Sequence, residues 1–228
     1  GGEDCADTDP EIHPDALELF NGEDENCNGL LDENILGETA NVRITGSAST
    51  DRAGNSVVVG DFDGNSQPDL VIGVHHEDYV SGSTTWDIKG EGRGAIAVFM
   101  NGSWDDGDIV GYADNYFKGS DSREEFGHVV VNVGDFDGDE KDDLGVGAAM
   151  GVNNTGRAYV FSGAGLETTT NSGALITATG TTDMRLGLNI GTTQDLNGDG
   201  FADLVAYGTG LEATKNYLGV LYGGDDVS

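Results

Sequence analysis

The chain has 228 residues, of which 38 are Gly, 3 Pro and 2 Cys, and a formal net charge of −32. That charge weighs against nucleic acid and anionic membrane surfaces as partners, because their phosphates would be repelled. No stretch approaches the roughly 18 apolar residues of a membrane span, and abundant Gly with scarce Pro fits short strands joined by tight turns, not a linker or collagen.

In chain order, residues 1–34 form a first unit with few apolar side chains. Asp24, Asn26, Asn28 and Asp32, with the Leu30 carbonyl, place oxygen on alternate residues around Cys27. Such a turn suits a hard cation that takes about six to eight oxygen ligands. Asp7 and Asp9 open a second acidic turn, with Glu18 as a candidate to close it, and Asp15–Phe20 reads as one helical turn. Two thiols are too few for a zinc site, so Cys5 and Cys27 read best as one disulfide of an exported protein. The alternative is a pair of free cytosolic thiols. The cross-link would stabilise the unit by roughly 3 kcal/mol in the chain-entropy model. The start at Gly1-Gly2, without an initiator Met or signal peptide, reads as a processed or trimmed product.

Residues 35–228 contain three repeats, spanning about 44–111, 112–173 and 174–224. Each reads strand, acidic turn, strand, loop, strand, turn, strand. The matching pieces are VVVG/DLVIGV/GAIAVFM, HVVVNVG/DLGVGAAM/RAYVFSG and LNIGTT/DLVAYG/LGVLYGG. Short β-branched and aromatic runs between glycines predict an antiparallel meander. The first repeat is lengthened at 75–94, which reads as an extended surface loop.

The acidic turns are DFDGNSQPD at Asp61–Asp69, DFDGDEKDD at Asp135–Asp143 and DLNGDGFAD at Asp195–Asp203. Each carries a carboxylate or amide at positions 1, 3, 5 and 9, a backbone carbonyl at 7 and Gly at 4. Three such loops in register predict calcium, one ion per repeat and one in the first unit, about four in all. Magnesium is disfavoured because it holds its waters. The twelfth position is Ile72, Val146 or Ala206, never Glu, which excludes EF-hands. The expected role is structural, since the clustered carboxylates would otherwise repel and splay the flanking strands.

Other candidates are weaker. His75-His76-Glu77-Asp78 contains transition-metal ligands, but neighbours on a strand point to opposite faces. His13 and His128 read as isolated structural residues. There is no G-x-S-x-G elbow, HExxH or P-loop, so no enzyme is expected; a glycan-active hydrolase is the alternative that paired carboxylates leave open. Asn101-Gly102-Ser103 and Asn153-Asn154-Thr155 are glycan-acceptor patterns. Trp86, Trp104, Tyr112 and Tyr116 would either stack on sugars or pack between sheets.

These residues carry two resemblances. The repeats resemble the FG-GAP repeat of integrin α-subunit β-propellers and their bacterial relatives, with Phe126-Gly127 and Gly147-Ala148-Ala149 at the name-giving elements. Ala53-Gly54 and Leu186-Gly187 replace Phe-Gly in the other repeats, and none has the Pro of GAP. Residues 1–34 resemble the DCDDTDP…CDG.DNNCDG..DE metal-binding motif found beside repeats in secreted bacterial proteins, with Ala6 in place of one acid. The first resemblance implies ligands at Asp61, Asp63, Asn65 and Asp69; at Asp135, Asp137, Asp139 and Asp143; and at Asp195, Asn197, Asp199 and Asp203. The carbonyls of Gln67, Lys141 and Phe201 would add the seventh-position oxygens. Together they imply an all-β, propeller-like, calcium-stabilised, secreted or cell-surface protein of structural or adhesive function, such as a subunit of an appendage, filament or matrix. The alternative is an accessory or carbohydrate-binding domain of a larger secreted enzyme. Closed propellers need about four to eight blades, so three repeats imply either a fragment of a longer propeller or, the favoured reading, other protein chains as partners. A filament or closed oligomer would form by strand or blade exchange, with Ile35–Thr45 as a candidate donor strand.

Overall fold

The computed structural model describes residues 12, 27, 42–46, 52–75, 92–102, 107–166, 173–192, 194–210 and 216–227. The chain divides into two compact units, Gly1–Ile44 and Thr45–Ser228. Among the described residues thirteen strands run in chain order. They are β1 (Ile44–Thr45), β2 (Ala53–Gly60), β3 (Asp69–Val74), β4 (Ala95–Phe99), β5 (Gly107–Asp108), β6 (Asn115–Lys118), β7 (Phe126–Gly134), β8 (Asp143–Ala148), β9 (Arg157–Phe161), β10 (Ala174–Thr179), β11 (Asn189–Thr192), β12 (Leu204–Thr209) and β13 (Asn216–Leu221). The single α-helix among the described residues, α1, is the four-residue turn Ile109–Tyr112. The expected all-β antiparallel architecture is what forms.

Three sheets follow one another along the second unit: β2-β3-β4-β6, β7-β8-β9-β10 and β11-β12-β13. They divide the chain differently from the repeat frame read in the sequence. Asn115–Lys118 pairs with β4 and completes the first sheet, and Ala174–Thr179 pairs with β9 and completes the second. Both segments lie beyond the boundaries at 111 and 173. The reason is physical: the acidic turn and its flanking apolar runs mark the inner three strands, whereas NYFK and ALITAT carry no comparable pattern. Among the described residues the third sheet has three strands.

Strand alternation stacks these sheets. Along β9, Tyr159 and Phe161 enter a core shared with Ile96 and Val98 of the first sheet. Ala158 and Val160 point the other way, into a core shared with Leu204 and Ala206 of the third sheet. The second sheet is therefore covered on both faces. Phe126 closes the first junction edge-on to Tyr159 and Phe161, with ring centroids 5.4 and 5.9 Å apart.

Backbone approaches backbone closely where the sheets meet. A Cβ on Gly73 would lie 2.3 Å from the carbonyl oxygen of Gly127, and one on Gly147 would lie 2.3 Å from that of Gly187. Gly73 and Gly147 are the fifth residues of β3 and β8. Gly127 and Gly187 have φ of +81° and +82°, a region open to Gly without steric cost. Phe126-Gly127 thus packs over Gly73-Val74, and Leu186-Gly187 packs in the same way over Gly147-Ala148.

Candidate metal loops

Each acidic turn joins the first two strands of a sheet, and its ninth residue is fixed by its neighbours. Asp69 Oδ2 accepts the Phe62 N–H at 2.8 Å, and its Oδ1 accepts the Asn101 N–H at 2.8 Å. Asp143 accepts from Phe136 at 2.7 Å and from Gly163 at 2.9 Å. Asp203 accepts from Leu196 at 2.6 Å and from Gly223 at 3.1 Å. All three carboxylates are fully buried. Each ties the second residue of its turn to the end of its sheet's third strand.

The rest of the turn is equally regular. The first Asp accepts the sixth residue's N–H: Ser66 to Asp61, Glu140 to Asp135 and Gly200 to Asp195, at 2.9, 3.2 and 2.8 Å. The third side chain accepts from the fifth residue: Asn65 to Asp63, Asp139 to Asp137 and Asp199 to Asn197. The fifth accepts from the seventh: Gln67 to Asn65, Lys141 to Asp139 and Phe201 to Asp199. These side-chain-to-backbone bonds are the local turns that Asp and Asn favour. Gly64, Gly138 and Gly198 at position 4 take φ of +76°, +83° and +81°.

This winding brings the acids together. Carboxylate oxygens of Asp61, Asp63 and Asp69 lie within 4.8 Å of one another, as do those of Asp135, Asp137 and Asp143. In the third loop Asn197 supplies an amide where the others have the third-position carboxylate. Burial pushes Asp143 up to about 7, offset in part by the Gly163 and Phe136 N–H groups. Burial also raises Asp69, with Asp63 adding repulsion, and raises Asp137, with Asp139 and Asp135 adding to it. Asp195 is lowered, chiefly by the Gly200 N–H. A raised, crowded carboxylate is what a divalent cation relieves, since it favours the ionised form. Every side-chain donor is oxygen, which suits a hard ion and not a soft one.

Other sequence candidates fare unevenly. Asp24, Asn26, Asn28, Leu30, Asp32, Asp7, Asp9, Glu18, His13 and Cys5 lie outside the described residues. Cys27 is described, has φ +62° and is not a free thiol. His76, Glu77, Asp78, Trp86 and Trp104 also lie outside, as does most of the Ile35–Thr45 segment. Asn101 and Asn153 are exposed. Tyr112 is exposed, and Tyr116 sits half-buried on β6, paired with Ala97. Two groupings escaped the sequence reading because their members are distant in the chain. Buried His75 meets His128 edge-on with ring centroids 4.8 Å apart, and Glu125 Oε2 is 3.5 Å from His128 Nδ1. Buried Glu124 accepts bonds from Arg157, at 3.0 Å, and from the Tyr159 hydroxyl. Arg157 is also paired with Asp121. Burial, then the Glu124 bond, pushes the Tyr159 hydroxyl up to about 12. This group is internally satisfied and pins the segment before β7 to the second sheet.

Comparison with known families gives two matches. Residues 4–33 match the Cu-binding MopE family, described as "Putative metal-binding motif", whose name points to copper rather than calcium. No curated protein matches the chain. Residues 53–99, which hold β2, the first acidic loop, β3 and β4, match the FG-GAP repeat family. The chain therefore carries an FG-GAP repeat preceded by an N-terminal metal-binding motif.

Proposed function

We propose that the chain is a calcium-stabilised extracellular protein of structural or adhesive function, built from stacked FG-GAP blades. One observation carries this reading: two convergent carboxylate groups, Asp61/Asp63/Asp69 and Asp135/Asp137/Asp143, stand in the turns that join the first two strands of their sheets. Their chemistry is that of ion binding. Position 1, 3, 5 and 9 side chains would hold each ion, the residues at position 7 would add carbonyl oxygen, and the bound cation would neutralise the cluster. Asp195, Asn197, Asp199 and Asp203 would hold a third ion, with an amide in place of one acid.

The N-terminal motif would supply a further metal turn around Asp24–Asp32, braced by a Cys5–Cys27 disulfide. Cell-surface or secreted placement is supported by the FG-GAP match. Among the described residues no helix is long and apolar enough to cross a membrane. The testing experiment is calorimetric titration of chelator-treated protein with calcium, and in parallel with magnesium and copper(II). Calcium heat that disappears in a combined Asp63→Asn, Asp137→Asn variant supports the reading. Calcium binding unchanged in that variant, or absent from the unaltered chain, refutes it.

A further inference from the structure

The forward face of the third sheet differs from the forward faces of the first two. Register and burial define that face. Leu204 and Ala206 point into the core shared with the second sheet, so Val205, Tyr207 and Thr209 point away from it. Their cross-strand partners Val220, Leu218 and Asn216 lie on the same side, as do Gly191 and Asn189 of β11. Leu218 is 73% exposed and Val220 36%.

The positions that admit a following sheet are changed here. The fifth residue of the strand after the acidic turn is Gly73 in β3 and Gly147 in β8, each under a carbonyl of the next sheet; in β12 it is Tyr207. The residues at which the third strands meet the next sheet are Gly94 and Gly156, where a Cβ would lie 2.1 and 2.2 Å from the carbonyls of Phe126 and Leu186. By strand register the matching residue of β13 is Asn216. Tyr207 and Asn216 hydrogen-bond to each other at 3.2 Å across these two sites. A fourth sheet cannot approach in the same geometry, and neither can the first sheet of another copy arriving head to tail. Leu196 agrees: Phe62 and Phe136 at its loop position are 0% exposed, and Leu196 is 52% exposed.

We propose that this face docks on the same face of a second copy, as a two-fold pair. Charge selects the occupant. The chain carries −32, so copies repel wherever acidic surfaces meet. The strand residues of this face are Asn, Gly, Val, Tyr, Thr and Leu, with no charged side chain. The strands of this face therefore bring no like charges together when two copies meet on them. An uncharged patch of exposed Leu, Val and Tyr is of the kind that marks interfaces, and a face meeting itself gives a closed dimer, not a filament.

The inference deepens the structural reading above, and the two can fail separately. Sedimentation velocity of the unaltered chain in calcium should show a concentration-dependent species of twice the chain mass. Leu218→Asp should raise its dissociation constant at least about a hundredfold, because the two-fold axis doubles each substitution. Leu218→Ser, which adds no charge, should weaken the pair in the same direction. Val57→Asp, at a half-exposed valine on the far face of the first sheet, should leave it unchanged. A chain that stays monomeric at all concentrations, an assembly insensitive to both Leu218 variants, or one abolished by Val57→Asp overturns the proposal. Loss of calcium binding with pairing intact would overturn only the ion reading.

Discussion

Truncating the second residue of an acidic loop tests whether sheet stacking holds the second unit together. Phe136 is 0% exposed in the core between the second and third sheets. A buried Phe removes about 150–250 Å² from water, which at about 25 cal/mol/Å² corresponds to roughly 4–6 kcal/mol. Core truncations of this kind cost about 3–5 kcal/mol, so about 4 kcal/mol is expected for Phe136→Ala. Leu196 holds the same loop position in the third repeat but is 52% exposed. Roughly half the worth of a buried Leu is at stake there, about 1 kcal/mol. At about 2–4 °C per kcal/mol for a unit of this size, the melting temperatures should fall by roughly 8–16 °C and 2–4 °C respectively. The assay is thermal unfolding by circular dichroism in calcium, in protein dilute enough to suppress pairing through the third sheet. Equal losses from the two variants would refute the reasoning, because Leu196 would then be as buried in solution as Phe136.

Calcium at millimolar concentration should raise the melting temperature by mass action, and Asp137→Ala should remove part of that gain; a melt unaffected by EDTA refutes structural calcium. Without the ion, Asp143 titrates near 7 in the folded state against 3.8 normally, so the folded state binds the extra proton and ion-free stability should fall as pH rises between about 4 and 7. Asp143→Asn should flatten that fall in EDTA-treated protein; an unchanged pH profile of melting counts against the burial argument. Intact mass after alkylation without reductant should show no added alkyl group, and two added groups would exclude the Cys5–Cys27 disulfide.

The acidic loops were legible because their chemistry is local. The bonds inside each turn join residues no more than seven apart, so alternate Asp and Asn with Gly at position 4 suffice to announce the turn. The inner strands were legible for a similar reason: DLVIGV and DLGVGA follow the turn at once and are apolar throughout. Sheet boundaries were not, because Asn115–Lys118 and Ala174–Thr179 are placed by pairing with a preceding strand and carry no signature of their own. Nor was the meeting of His75 with His128, which depends on how β3 and β7 face each other. Glycine spelling was readable but ambiguous: Gly73 and Gly147 look like strand interruptions until the carbonyls of Gly127 and Gly187 are seen above them.

The loops also join one sheet to the next, and this bears on what an ion would do. The Asp61 N–H donates to Asp142 Oδ2 at 3.0 Å, and the Asp142 N–H donates to the Asp61 carbonyl at 3.2 Å. Asp142 also holds Asn132 of β7 at 2.7 Å. One step along the stack, the Ala202 N–H donates to the Asp135 carbonyl at 2.9 Å, and the Gly224 N–H donates to the Phe136 carbonyl at 2.9 Å. The first residue of each of the first two loops is thus bonded to the eighth residue of the next. A cation that fixes Asp61 or Asp135 therefore orders a junction as well as a hairpin, since the same residue presents a side chain to the ion and its backbone to the following loop. Loss of one ion should loosen two sheets. Ion binding in the loops would then be coupled to the stacking of the whole unit, as the proposed structural role requires.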